Sequence, residues 1–322
     1  NAFFATPDHI LILDPENEYT ALTEQLHGQT IYLAPDSQSY LNPMDLDLST
    51  DVGESPMLMQ ADFLLSQCEL MMASYGNPLM PIEKSLIDRC ISLVYRDYLK
   101  NPRPENMPIL GDLYQCLREQ HNSRADDLAT AMEIYVTGSL SYLNHRTNVD
   151  LNNRMVCYNI SKLGQGLKKL VMSNVQKHIW QRTAVNRYAG ITTRIFLDEF
   201  HLLLKEPQTA AYTAEIYKRF RKWNGIPTSL TQNVKDLLDS SEIENILENS
   251  DFVLMLNQGA SDRNILAQRL GISPQELSHV TNSSEGEGLL FFGDKIIPFE
   301  DKFPRDTQLY RVMTTKPSDL AA

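Results

Sequence analysis

The chain has 322 residues, an apolar fraction of 42%, 41 acidic against 29 basic side chains and a formal charge of −12. This length accommodates one large α/β domain or two of ordinary size with a sizeable core, and the acidic balance disfavours a surface that coats nucleic acid non-specifically. No run approaches the roughly 18 apolar residues of a membrane span, and the opening NAFFATPDHI lacks the basic and hydrophobic regions of a signal peptide.

Strand and helix alternate at the start. HILIL (9–13) is a continuous apolar run, as expected of a strand covered on both faces. DPENE (14–18) follows, with Asp14 suited to a helix N-cap, Pro15 to the first helical position, and Glu16 and Glu18 to the positive end of the helix dipole. A second strand is expected over Thr30–Ala34, and the loop LNPMD (41–45) closes this part. From about Ser55 to about Leu143, Met, Leu, Ile and Tyr recur at helical spacing, as in Ile87, Ile91, Val94, Tyr95 and Tyr98. This block reads as all-helical, broken at Gly76-Asn-Pro78 and at Asn101-Pro-Arg-Pro104, with its methionines (Met57, Met59, Met71, Met72, Met80) as core filler. Alternation then resumes, with strands over 154–160, 195–197, 226–231 and 251–256. A long helix is expected from Gly164 to Tyr188, and another with Tyr212, Ile216, Phe220 and Trp223 on one face.

Strands separated by helices imply a largely parallel sheet with helices on both faces. Leu289–Phe292 and Lys295–Phe299, joined at Gly293-Asp294, read as a β-hairpin. The expected layout is an α/β core over 1–54, a helical insertion over 55–143 and the rest of the core over 144–322. Cys68, Cys90, Cys116 and Cys157 lie far apart with no CxxC pair, so neither zinc nor a disulfide framework is expected, and a reducing cytoplasm fits. The basic clusters at 162–170 and 218–222 read first as solvated helix faces and second as anion or subunit contacts.

Ligands of a parallel α/β sheet collect at the carboxyl ends of its strands. The polar residues expected there are Asp14, Asp198 with Glu199, and Gln232. RIFLDEFH (194–201) is an apolar strand ending in two neighbouring carboxylates, a costly arrangement unless the charges are solvated or meet a cation. An apolar strand ending in Asp-Glu is the Walker B pattern of RecA-like P-loop ATPases. There the first carboxylate, Asp198, holds the magnesium that bridges the β- and γ-phosphates, and the second, Glu199, deprotonates the attacking water. Taken alone the pattern is weak, since Asp-Glu often just opens a helix. Thr-Gln at the end of the strand one β–α unit later suits a γ-phosphate sensor at Gln232, and equally a helix start ahead of Val234. The phosphate-cradling string GxxxxGK[ST] is absent from the chain, Gly164-Gln-Gly166 lacking its spacing. His201 has no HExxH context and no second histidine at ligand spacing, so a surface or packing role is expected rather than a metal.

The order of these motifs carries more than any one of them. HILILDPENEY, LNPMDL, a helical insertion, FLDEFH, RFRKWNGIP, LTQNVKDLL, NSDFVLMLNQ and GEGLLFFGDKIIPF together resemble the C-terminal ATPase domain of TrbE/TraC-like conjugative, or type IV secretion, ATPases, over nearly the whole chain. The resemblance implies a RecA-like P-loop NTPase core with a mostly parallel sheet, an all-helical insertion and a C-terminal β-hairpin. It implies a magnesium-dependent ATPase with ATP and Mg2+ as cofactors. Asp198 would be the metal and nucleotide ligand, Glu199 the base and Gln232 the sensor, and Asp14, from its own strand end, is expected as a second cofactor-binding residue. Arg221, in RKWNG, matches a trans-acting arginine finger, with Arg263 of SDRN as the alternate; a guanidinium offers a planar, permanently charged fork to transition-state charge.

In that family the segment ahead of DPENEY is the P-loop helix, so residues 1–5 read as its tail and the Walker A loop is expected upstream. Expected partners are copies of the chain, a hexamer among the candidate states, other type IV secretion proteins at the inner face of the cell membrane, and DNA as a candidate. The competing readings are a DNA-pumping translocase of the FtsK/HerA type and a non-catalytic scaffold that keeps the ATPase fold.

Overall fold

The computed structural model describes residues 2–48, 55–73, 78–232, 241–281 and 283–314. Gly76, Asn77 and Val234, singled out above, lie outside them. Chain contacts group into two compact units, residues 1–198 with 222–228 and residues 199–221 with 229–322. The helical block 55–143 thus falls inside the first unit, and the stretch 144–322 is shared between both.

The first unit carries α1 (Ala2–Ala5), β1 (His9–Asp14), α2 (Thr20–Gln25) and β2 (Gln29–Tyr32), then the helical block, then β3 (Met155–Asn159), α8 (Gln165–Tyr188) and β4 (Thr193–Leu197). With β5 (Gly225–Ser229) these strands form a sheet in the order β2-β3-β1-β4-β5. β1 pairs parallel with both β3 and β4, and β2 parallel with β3. The apolar run of β1 explains its central place: Leu11, Ile12 and Leu13 are each at most 2% exposed, as a strand with cover on both faces requires.

Two local expectations are corrected. The helix after β1 does not begin at Pro15: residues 15–19 form a turn, Asn17 adopts a left-handed φ of 62°, and α2 starts at Thr20. A left-handed residue cannot continue a right-handed helical path, which delays the helix. Trp223, expected on the face of the helix with Ile216 and Phe220, lies beyond that helix's end and packs edge-on against Trp180, ring centroids 5.0 Å apart.

The helical block comprises α3 (Pro56–Ala73), α4 (Pro81–Val94), α5 (Arg96–Lys100), α6 (Leu110–Arg118) and α7 (Ser123–Val136), with no strand among its described residues. Helix α3 packs on α8, while α4 packs on α3 and α6. Ile87, Ile91, Tyr95 and Tyr98 are buried along one stripe. Of the methionines expected as core filler, Met71 and Met72 are buried, Met57 and Met59 half-buried, and Met80 exposed. Cys68, Cys90 and Cys157 are buried, Cys116 is half-buried, and all four are free thiols.

The block is tied to the core through the loop LNPMDL (41–46), whose backbone polar groups are satisfied by side chains from several helices. Gln60 Nε2 donates to Pro43 O at 2.9 Å, Tyr95 Oη to Met44 O, and Tyr98 Oη to Leu46 O at 3.0 Å. From α8, Asn174 Nδ2 donates to Leu41 O at 2.9 Å, and Lys177 Nζ donates to Pro43 O at 2.9 Å and Asp45 O at 2.6 Å. The Lys177 ammonium also lies 4.7 Å from the centre of the Phe63 ring. Burial pushes the Lys177 pKa down to about 7, against a smaller opposing pull from Asp45.

The second unit holds α9 (Pro207–Phe220), α10 (Ile243–Glu248), β6 (Phe252–Met255), α11 (Ala260–Leu270), α12 (Pro274–Leu277), β7 (Glu287–Phe292), β8 (Lys295–Glu300) and α13 (Gln308–Met313). β7 and β8 form the expected hairpin, with Gly293 at φ 59°. The strand over 251–256, expected in the parallel sheet, instead pairs antiparallel with β7 in a separate sheet of order β6-β7-β8. Its burial alternates: Met255 joins Leu266, Ile272, Val280 and Leu289 in a core, whereas Phe252 and Leu254 are exposed. Such one-faced burial belongs to antiparallel sheets, and the apolar outer residues conceal it in the sequence. Gly288 permits close strand approach, since a Cβ there would meet Met255 O at 2.3 Å and the Phe299 ring at 2.9 Å.

Two outcomes are expected. Lys177→Met leaves Asp45 O without the ammonium donor, while Pro43 O keeps Gln60, so the variant should lose about 1–3 kcal/mol in urea unfolding. The lysine's folded pKa of about 7 lies below its ordinary 10.5, so the unfolded chain binds more protons between these values. Wild-type stability relative to the variant should therefore rise with pH across that window and be flat below it, so that the gap is wider at about pH 9.5 than at about pH 6.5. Gly288→Ala should lower the stability of the β6-β7-β8 sheet by about 1–3 kcal/mol through overpacking, read as a lower urea midpoint.

Candidate active site

Asp14 ends β1 and Asp198 follows β4, and these strands are adjacent with Leu13 opposite Leu197. Asp198 N donates to Leu13 O at 3.2 Å, which seats the two aspartates at the same carboxyl edge. They are held differently. Asp14 is fully buried: its Oδ1 accepts from Glu18 N at 2.9 Å, and its Oδ2 accepts from Tyr19 N at 3.0 Å and from the Cys157 thiol at 3.7 Å. Asp14 therefore fixes the 14–19 turn, with its carboxylate committed to backbone amides and away from solvent. Asp198 is 9% exposed.

Tyr19 stands near both carboxylates. Burial first, then the charges of Asp198, Glu18 and Asp14, drive its hydroxyl pKa upward, so it stays protonated at neutral pH. Burial and Asp14 likewise raise the Cys157 thiol, which remains a neutral donor. Asn159, at the end of β3, donates from Nδ2 to Asn17 Oδ1 at 2.5 Å and to Thr20 Oγ1 at 3.1 Å, and Ile160 N donates to Asp14 O at 3.0 Å. Strand β3 thus braces the turn from the other side.

Glu199 has φ 43° and ψ 47°, the left-handed region, and begins a 3-10 turn over Phe200–Leu204. For a residue with a Cβ this conformation costs on the order of 1 kcal/mol and is kept where surrounding bonds enforce it. Two bonds do so: Phe200 N donates to Leu230 O at 2.8 Å, and Leu202 N donates to Glu199 O at 2.9 Å. His201 Nδ1 lies 3.1 Å from Glu199 Oε2 and 3.3 Å from Thr231 Oγ1, and the Glu199 and His201 side chains are largely buried. Gln232, next after Thr231, sits in a bend with its side chain exposed.

Arg221 is exposed at the C-terminal end of α9, and Arg263 is half-buried near the start of α11. In the neighbouring basic cluster, Lys218 and Arg219 both pair with Glu215, the reading expected of a solvated helix face. Among the described residues no group of three or more His, Cys, Asp or Glu side chains could enclose a metal, and no helix is long and apolar enough to cross a membrane. A magnesium ion that keeps several waters and shares phosphate oxygens needs only one or two protein carboxylates. Asp198, at a strand end beside the Asp14 carboxylate that is committed to backbone amides, could be such a carboxylate.

Some of this arrangement escapes motif reading. Tyr19 and Asn159 carry no pattern of their own, although both flank strand ends where ligands collect. His201 gives a signal only once Thr231, 30 residues on, is placed beside it.

The fold is that of VirB4 of Thermoanaerobacter pseudethanolicus, with a TM-score of 0.82 at 22% identity over 99% of this chain and 85% of that one. It is also similar to the plasmid coupling protein TrwB in complex with ADP and Mg2+, with a TM-score of 0.54 at 13% identity over 94% of this chain and 88% of that one. TrwB in complex with a non-hydrolysable ATP analogue gives the same TM-score and identity over 95% and 88%. Among curated proteins, no sequence matches significantly. The sequence model of the TraG P-loop domain matches residues 1–285, nine-tenths of the chain, with the Asp198–Glu199 strand end and Gln232 inside the match. The chain belongs to the TraG P-loop domain family.

Proposed function

We propose that this chain is the ATP-hydrolysing motor domain of a bacterial type IV secretion or conjugation system. The observation that carries the reading is the apolar strand β4, paired parallel with the central strand β1 and followed by Asp198-Glu199 at the edge where Asp14 ends β1. Family membership and the fold shared with VirB4 and TrwB support it.

In this reading Asp198 would hold the magnesium of MgATP, and the ion would supply positive charge to the phosphates. Glu199 accepts a proton from the attacking water. Gln232, exposed after β5, contacts the γ-phosphate or that water and distinguishes ATP from ADP. Asp14 serves indirectly, by fixing the 14–19 turn on which Tyr19 stands. Arg221, exposed at a helix end, reaches the nucleotide of a neighbouring copy, with Arg263 as the alternate. The motor works as a homo-oligomer, a hexamer among its candidate states, against other secretion components at the inner face of the cell membrane. A DNA-translocating version of the same engine draws on the fold shared with the plasmid coupling protein TrwB; salt-sensitive DNA binding by the assembled oligomer would favour it.

Two measurements on the full-length protein test this. Glu199→Gln should bind ATP with unchanged affinity and lose about 100-fold or more of its magnesium-dependent turnover, the usual contribution of a positioned base; retained turnover sinks the assignment. Arg221→Ala should also be inactive alone, yet mixing it with Glu199→Gln should restore part of the activity, because each variant supplies the group the other lacks. No recovery with Arg221→Ala, but recovery with Arg263→Ala, would transfer the role to Arg263.

A further inference from the structure

We propose that His201 is a positioning residue for the hydrolytic step, coupling the Glu199 carboxylate to the Thr231–Gln232 segment. The inference rests on the assignment of Glu199 as the base. In the tautomer with its proton on Nδ1, His201 donates to Glu199 Oε2 at 3.1 Å, a carboxylate oxygen that accepts. The same N–H lies 3.3 Å from Thr231 Oγ1, which takes a second branch of the bond. One donor is therefore shared between the base and the residue that immediately precedes the sensor glutamine.

The backbone around this contact makes it a fixed linkage. Glu199 in the left-handed region turns the chain sharply, and the Leu202 N to Glu199 O bond closes the turn so that Glu199 and His201 face each other across one residue. The intervening residue, Phe200, donates its N–H to Leu230 O at 2.8 Å, which pins the turn to the chain one residue ahead of Thr231. The Phe200 ring is 2% exposed and lies 6.4 Å from the Tyr217 ring, and Tyr217 Oη in turn bonds Ser229 Oγ at 2.6 Å. Both ends of the His201 bridge are thus anchored to the 229–231 strand end. When Gln232 engages its ligand, a shift of Thr231 re-aims the imidazole, and the imidazole re-aims the carboxylate. A histidine serving only as packing would need neither the carboxylate nor the hydroxyl at hydrogen-bond distance.

The test measures steady-state ATP turnover, ATP affinity and the urea midpoint of the full-length protein, as wild type, as four single variants and as the double variant of His201→Leu with Glu199→Gln. His201→Leu removes the donor; His201→Asn keeps an N–H where Nδ1 stands; Thr231→Val removes the second acceptor; Glu199→Gln is the reference. His201→Leu should lower kcat about tenfold or more with KM and ATP affinity unchanged, the pattern of a group that acts only on the reacting geometry. His201→Asn should recover most of that loss, Thr231→Val should lower kcat in the same sense, and His201→Leu should add nothing to Glu199→Gln.

Unchanged kcat in His201→Leu overturns the proposal, as does a loss that His201→Asn fails to recover at an unaltered urea midpoint. If His201→Leu does not fold, wild-type kcat in Thr231→Val together with His201→Asn no more active than Glu199→Gln overturns it. The two levels of inference separate cleanly: turnover retained in Glu199→Gln removes the base assignment itself, whereas an inactive Glu199→Gln beside a fully active His201→Leu removes only the role of His201.

Discussion

Two adjacent parallel strands, each ending in an aspartate, set the electrostatic constraint on which the rest of this edge depends. Two like charges at neighbouring strand ends repel unless each is given its own partners. The fold resolves the conflict asymmetrically. Asp14 is buried and saturated by two backbone amides and a thiol, so its charge is spread into the 14–19 turn. It also explains why the helix after β1 starts late: the amides of Glu18 and Tyr19 that bond Asp14 must first be brought round by a left-handed Asn17.

The same economy governs the second carboxylate of the pair. Glu199 takes a conformation that a residue with a Cβ adopts reluctantly, and it is kept there by backbone bonds to Leu230 and Leu202 and by the imidazole of His201. Strain of this kind, held by neighbours, is characteristic of functional positions. The two consecutive carboxylates therefore differ in everything but charge: one sits at the end of a sheet strand, the other on a turn whose backbone answers to the strand end at 229–231.

Much of this was legible from residue order. The central strands announce themselves as unbroken apolar runs, because burial on both faces leaves no room for alternation. The helical block shows its buried stripe at Ile87, Ile91, Tyr95 and Tyr98, and Gly293 marks the hairpin turn. Illegibility has physical sources. The strand at 252–255 carries apolar residues on an exposed face, so it resembles a parallel-sheet strand while pairing antiparallel. DPENE holds every N-terminal helix signal, yet Asp14 uses its carboxylate on a turn. His201 lacks metal-ligand spacing, and its partners are two and 30 residues away, where no local pattern can reveal them.

The loop at 41–46 has a further consequence. Irregular segments ordinarily exchange their amide protons quickly, since local fluctuations expose them. Here Asn42 N bonds Thr147 Oγ1, Met44 N bonds Asn42 Oδ1 and Asp45 N bonds Asn42 O, while Lys177, Asn174, Gln60, Tyr95 and Tyr98 occupy the carbonyls. The carbonyls cannot be freed without also breaking the bonds from α8 and from the helical block that hold the loop in place. In deuterated solvent the amide protons of Asn42, Met44 and Asp45 should therefore exchange more slowly than those of an ordinary surface loop.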